Sequence, residues 1–283
     1  MQFQHNVHTI APSFWSFAYE VRIEGRTLEC RIRPGQHYDL VEAYSRAPHI
    51  EFLNCESPDQ FKEFVTRWGP LLISDEQWAN RRAIAQIDDY RNYRNLFLAI
   101  SGLADACRGR KDRRESLVDY FRAEAGMLRA GHGREELQEL SYLDRIDPST
   151  ANSAGKRDPI EWVRSASDAE VLRVLIGLFE DWVRPPNPWG LRVYPRRRRL
   201  EIKPCFELYS LWDGLRWMLW FDEWNRFPPT TCPECRKVFR PSSHHKQKFC
   251  SWPCAHRATN RKWRRKDLRS KKRRPRKGKS DGN

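Results

Sequence analysis

The chain has 283 residues, 39% of them hydrophobic and twelve of them Trp, and a formal net charge of +15. That length allows one large domain or two smaller ones, with apolar material enough for a core, which excludes wholesale disorder. No apolar run approaches the roughly 18–20 residues that span a bilayer, and no charged segment followed by an apolar stretch opens the chain. The sequence therefore reads as soluble and cytoplasmic, with no membrane partner. The charge is unevenly placed: residues 232–283 hold 19 Lys/Arg and 3 Asp/Glu, a net of +16, whereas residues 1–231 hold 33 and 34, a net of −1. A near-neutral body with a basic end points to a localised contact with a polyanion.

Phe14 to Ile23 is rich in aromatic and branched residues and alternates in part. With Glu24-Gly25-Arg26 as a turn and Thr27 to Ile32 returning, it predicts a hairpin over 14–33. His49 to Asn54 reads as a short strand or a helix start. Ser57-Pro58 is an N-cap followed by Pro at the first helical position, opening a helix to Trp68 that Gly69-Pro70 stops. Asp75 to Ala106 carries apolar residues at mostly helical gaps and predicts one long helix, with Gly102 as a break. A helix over 117–128 follows, then loops at 129–133 and 147–159. Asp158-Pro159 caps a long amphipathic helix through Val183, which Pro185-Pro186-Asn187-Pro188 ends. Leu191 to Tyr194 and Leu200 to Phe206 predict a second hairpin, joined through Pro195 and Arg196 to Arg199. Glu207 to Trp224 is apolar almost all round and predicts a helix buried in the body. The fold class expected is α+β: a predominantly α-helical body with short β-hairpins over residues 1–228, a linker at 229–231, a finger with an Arg-rich helix over 232–269, and a disordered basic tail over 270–283.

Of eight cysteines, Cys30, Cys55, Cys107 and Cys205 are scattered without a disulfide framework, which fits a reducing compartment. The other four are clustered: Cys232-Pro-Glu-Cys235 and, after fourteen residues, Cys250-Ser-Trp-Pro-Cys254. Two close pairs at this spacing predict a tetrahedral zinc site. Four thiolates close the coordination sphere, so the one Zn2+ is structural rather than catalytic. A knuckle at Cys232–Cys235, a return strand over 237–240, a partner strand over 246–249 and a helix capped by Ser251 make a treble clef, with Cys254 in the first helical turn, where the helix dipole favours a thiolate.

The segment 231–269 resembles the CGNR-type zinc fingers, bacterial treble-clef modules named for a Cys-Gly-Asn-Arg motif. Cys254 and Arg257 match the ends of that motif, while Ala255 and His256 depart from its middle. An N-terminal ABATE domain with a Leu-Asn-Thr motif precedes the finger in that family, and Leu53-Asn54-Cys55 looks similar, with Cys in place of Thr. The resemblance implies DNA binding and an ABATE-like body.

The expected function is zinc-dependent nucleic-acid binding, as in a bacterial, nucleoid-associated transcription regulator. The alternatives are an RNA- or DNA-binding subunit of a nucleoprotein complex and a metal-dependent nuclease built on Glu201, Lys203 and Asp181. Duplex DNA is favoured over RNA, and the body is left for a homodimer or a protein complex. The residues expected at nucleic acid are Arg240, Lys246, Lys248, Arg257, Arg261, Lys262, Trp263, Arg264, Arg265, Lys266 and Arg269, with Arg257 and Arg261 best placed for rigid contact because they share a helix face near the metal. No residue is expected to be catalytic.

Overall fold

The computed structural model describes residues 17–33, 40–129, 158–183, 190–196, 199–205, 210–224, 228–242 and 247–273. The loops expected at 130–133 and 147–157 and the tail beyond 273 lie outside these. The chain divides into two compact units, Met1–Trp224 and Asn225–Asn283. Small antiparallel sheets among helices make the class α+β, as the sequence predicts.

In the first unit, β1 (Phe17–Glu24) and β2 (Thr27–Arg33) form the expected hairpin, with Gly25 at its tip in the left-handed region at φ 61°. Two short helices, α1 (Leu40–Arg46) and α2 (Pro48–Leu53), follow. The end of α2 contains the Leu53-Asn54-Cys55 segment, and its bonds are those of a helix terminus. Asn54 Nδ2 donates to the Ile50 carbonyl at 2.9 Å, and the Leu53 carbonyl accepts from Arg94 Nε at 3.0 Å. Ser57 and Gln60 then form a capping box that starts α3 (Pro58–Trp68), and Gly69 at φ 89° ends it.

The long helix expected over 75–106 is three elements. Ser74 caps only α4 (Asp75–Ala79), through a capping box with Gln77. Arg81, at φ 52°, turns the chain, and Arg82–Gln86 becomes β3, paired antiparallel with Thr27–Arg31 so that β2 is the central strand. The gain from strand pairing outweighs the local helical period, because β-propensity is decided by context. Only then does α5 (Ile87–Cys107) begin, and it runs unbroken through Gly102. The next helix, α6, spans Arg113–Arg129.

The helix expected over 158–183 is likewise two, α7 (Pro159–Ser165) and α8 (Asp168–Val183). Ser167 makes the break. Its hydroxyl accepts from the Glu170 N–H at 3.3 Å while Glu170 Oε2 accepts from the Ser167 N–H at 2.7 Å, a second start signal inside the periodic run. β4 (Gly190–Arg196) and β5 (Arg199–Cys205) pair as the expected hairpin, with Arg196 opposite Arg199. The last helix of this unit, α9, is Leu211–Trp224.

Aromatic rings fill the core. Phe52 packs on Phe64 at 5.1 Å between centroids, Phe97 on Trp212 at 5.5 Å, and the Trp182 indole N–H donates to the Tyr120 hydroxyl at 2.8 Å. Cys30 and Cys55 are buried free thiols, and burial raises both to about 12, so neither is reactive. Cys107 is a half-buried free thiol.

One polar cluster is sealed inside. Asp222 on α9 accepts from the Tyr44 hydroxyl of α1 and lies 2.7 Å from His49 Nε2 on α2; His49 and Asp222 are both fully buried. The cluster fixes where α9 sits on α1 and α2. Asp222→Ala removes the partner of the buried His49 and of the half-buried Tyr44 hydroxyl and should destabilise the body by about 3 kcal/mol, read as a shift of the urea midpoint; a change within experimental error would refute this role.

Candidate metal centre

In the second unit the Cys232–Cys235 turn is closed by backbone bonds in both directions. The Cys232 N–H donates to the Lys237 carbonyl at 2.9 Å, and the Arg236 N–H donates to the Cys232 carbonyl at 2.8 Å. Arg236 takes a positive φ of 61° to allow this. The strand after the knuckle, β7 (Val238–Phe239), pairs with β6 (Thr230–Thr231), and of the partner strand expected over 246–249 the described residues 247–249 are not in a strand. The supposed linker thus supplies the partner strand, because a strand leaving a tight knuckle meets the strand entering it. Lys248 and Phe249 are not in a strand. The Gln247 carboxamide oxygen accepts from the Ser242 N–H at 3.0 Å, and its nitrogen donates to the Phe249 carbonyl at 3.1 Å, which ties down the second arm.

That arm delivers Cys250 and then α10, which spans Trp252–Arg273 and so extends four residues beyond Arg269. The Ala255 N–H donates to the Ser251 carbonyl at 3.1 Å, and Cys254 stands in the first helical turn. A 22-residue helix is about 33 Å long.

The four ligand atoms Cys232 Sγ, Cys235 Sγ, Cys250 Sγ and Cys254 Sγ all lie within 4.8 Å of one another. Cys235 Sγ is 3.5 Å from Cys250 Sγ, which is 3.6 Å from Cys254 Sγ. A disulfide needs about 2.05 Å, whereas a tetrahedron with metal–sulfur bonds of about 2.3 Å has edges of about 3.8 Å. All four are free cysteines, spaced as ligands of one ion rather than as two bridges. Among the described residues this is the one group of three or more Cys, His, Asp or Glu placed to hold a metal. At Cys232 desolvation opposes ionisation, but the Cys250, Cys235 and Glu234 N–H groups outweigh it and bring the thiol down to about 6. At Cys250 desolvation and the neighbouring thiols act together and push it up to about 12. Binding of a cation displaces the protons that remain.

Around the sulfurs the structure assembles a charged shell whose acidic member the sequence reading missed. Glu234, between the first two ligands, has a side chain only 8% exposed. It pairs with Arg257 at 3.5 Å and with Arg261, one turn further along α10. Arg257 Nη2 also lies 3.0 Å from Cys254 Sγ. Arg257 and Arg261, expected to share a helix face near the metal and to make a rigid contact from it, are bonded to the knuckle. Their four-residue spacing does put them on one face, but that face looks at Glu234. The physical reason is charge balance: four thiolates around a divalent ion leave two negative charges, which a nearby guanidinium offsets.

The other expected contacts are dispersed. Arg240 follows β7 and is half-buried, while Lys248, Lys262, Trp263 and Arg264 are exposed. Arg265, Lys266 and Arg269 lie on the α10 backbone, with side chains outside the described set, as is Lys246 altogether. Glu201 and Lys203 are on β5 and Asp181 on α8, and their side chains also lie outside the described set.

No family model matches the chain, and no curated protein or solved structure matches it either.

Bound metal should be close to one ion per chain by elemental analysis, and Cys232→Ser or Cys254→Ser should each take it well below one. Glu234→Gln should leave the ligands in place yet weaken metal affinity about tenfold in competition with a chromophoric chelator; an unchanged affinity would remove Glu234 from the centre's supporting shell.

Proposed function

We propose that the protein is a zinc-dependent nucleic-acid-binding protein, with a bacterial DNA-binding transcription regulator as its narrower role. The carrying observation is the α10 helix. It starts at the four-sulfur centre and holds ten Lys/Arg and one acid, Asp267, over Trp252–Arg273. A polyanion matches such a helix, and the phosphate backbone is the polyanion that a helix of this width reaches in a groove.

Zinc fits the donor set best. An all-thiolate tetrahedral shell suits an ion without redox chemistry or ligand-field preference, and it leaves no position for a substrate. The role of the ion is then structural. The finger has little apolar core, and metal binding on the order of 10 kcal/mol supplies its stability. The CGNR resemblance, carried by Cys254 and Arg257, supports the same reading, with a changed meaning for Arg257: it holds the helix start to the knuckle.

Affinity for nucleic acid should fall steeply with salt. About five neutralised phosphates predict a loss of roughly 100- to 1,000-fold between about 50 and 200 mM salt, measured by fluorescence anisotropy with duplex DNA, single-stranded DNA and RNA in parallel. A flat response, or no binding to any of the three, would defeat the proposal. Stripping the metal with a chelator should unfold the finger while the cooperative unfolding of the body stays in place.

A further inference from the structure

The face of α10 that turns away from the knuckle is aromatic. Trp252 is 74% exposed and Trp263 is 67% exposed, although large aromatics are ordinarily the first side chains to be covered. The His256 ring stacks on Trp252, with centroids 4.9 Å apart and planes 19° from parallel, and His256 Nδ1 is 3.3 Å from Asn260 Nδ2, which fixes the ring. At about 100° per residue, Trp252, His256 and Trp263 fall within roughly 40° of one another around the helix. Cys254, Arg257 and Arg261 fall on the opposite side, as their bonds to the knuckle require. The aromatic stripe extends about 16 Å along the axis, and the exposed Lys262 and Arg264 flank it.

Resting on the nucleic-acid reading above, we infer that this stripe is a stacking surface for unpaired bases of single-stranded nucleic acid. Trp252 and Trp263 would be the base platforms and the flanking cations the backbone contacts. A duplex hides its base faces inside the stack, so exposed indole rings gain nothing from it beyond the groove edges; unpaired bases offer a π-face at every nucleotide. A lipid surface fits less well. An interfacial helix presents a continuous apolar face, whereas this stripe is interrupted by His256 and the exposed Thr259, whose hydroxyl donates to the Ala255 carbonyl at 3.0 Å. The charge of the helix excludes a basic partner.

The test separates bases from phosphates. Full-length, metal-loaded protein is titrated by anisotropy into oligothymidylate, oligouridylate and an abasic deoxy-oligomer, each of about 20 nucleotides and equal charge. The wild type should bind at least one base-bearing strand about fivefold or more tighter than the abasic one. Trp252→Ala and Trp263→Ala should each reduce that preference and together abolish it, with abasic affinity and metal content unchanged. The thymidylate and uridylate arms tell DNA from RNA as the source of the bases. Equal binding of abasic and base-bearing strands overturns the stacking inference but leaves the nucleic-acid reading standing. Failure to bind any of these single strands also overturns the stacking inference, and the nucleic-acid reading falls with it only if duplex DNA of equal charge is not bound either.

Discussion

The finger has almost nothing to hold it together except the atoms that hold its metal. Its buried cluster is Cys232, Phe239 and Cys254, with Cys235, Phe249 and Cys250 packed against it, so four of six members are ligands. Two phenylalanines do not bury enough area to offset the entropy of ordering such a segment. Every other feature of the unit hangs on the convergence of four sulfurs: the positive φ at Arg236, the β6–β7 pair across the knuckle, the Gln247 bonds that steady the second arm, and the direction in which α10 leaves. The convergence also creates an electrostatic problem. Concentrated thiolate charge draws Arg257 to Cys254, and Glu234 in turn gathers Arg257 and Arg261. Helix and knuckle are thereby brought together twice, at the four sulfurs and through a three-residue ionic clamp.

That clamp divides the helix into two faces with different work. The face bearing Cys254, Arg257 and Arg261 is committed to the scaffold, although its arginines remain more than half exposed. The opposite face carries the exposed indoles of Trp252 and Trp263. Beyond Asn260 the sequence of the helix is dominated by Lys and Arg, and like charges one turn apart oppose it; the bonds described to the knuckle are made by its first turns. Charge alone would give a loose electrostatic tether. A face fixed relative to the metal gives a surface with an orientation, and orientation is what distinguishes recognition from attraction.

Much of this was legible in the sequence, and the misses have physical causes. Caps are local, so Ser57 and the end of α3 at Gly69 read correctly, as did both hairpins of the body. The ligand set was legible because thiolate pairs at knuckle spacing have few other uses. β3 was not, because its helical period is real and only pairing with Thr27–Arg31 overrides it. The break between α7 and α8 was written in Ser167-x-x-Glu170, a capping box masked by the apolar rhythm around it. Asp222, His49 and Tyr44 meet across separations of 173 and 178 residues, which no local pattern reports. The pairing of Arg257 and Arg261 with Glu234 was not legible, for a subtler reason. Spacing tells that two residues share a face but not what the face looks at; the clue was the carboxylate of Glu234, set between two ligands.

The charge asymmetry of the chain now has a structural basis. Among the described residues the near-neutral body is held by aromatic packing and the buried Asp222–His49–Tyr44 cluster. The basic unit has little packing and four cysteines placed to hold an ion. The two therefore lose structure by different routes: the body through cavity formation and buried polar groups, the finger through oxidation, acid or chelation of its thiolates. Loss of a metal from the four cysteines would leave every Lys and Arg in place and would cost the fixed relation between knuckle and helix. On the function proposed above, the metal would supply geometry and the basic helix charge, and a surface that discriminates would need both.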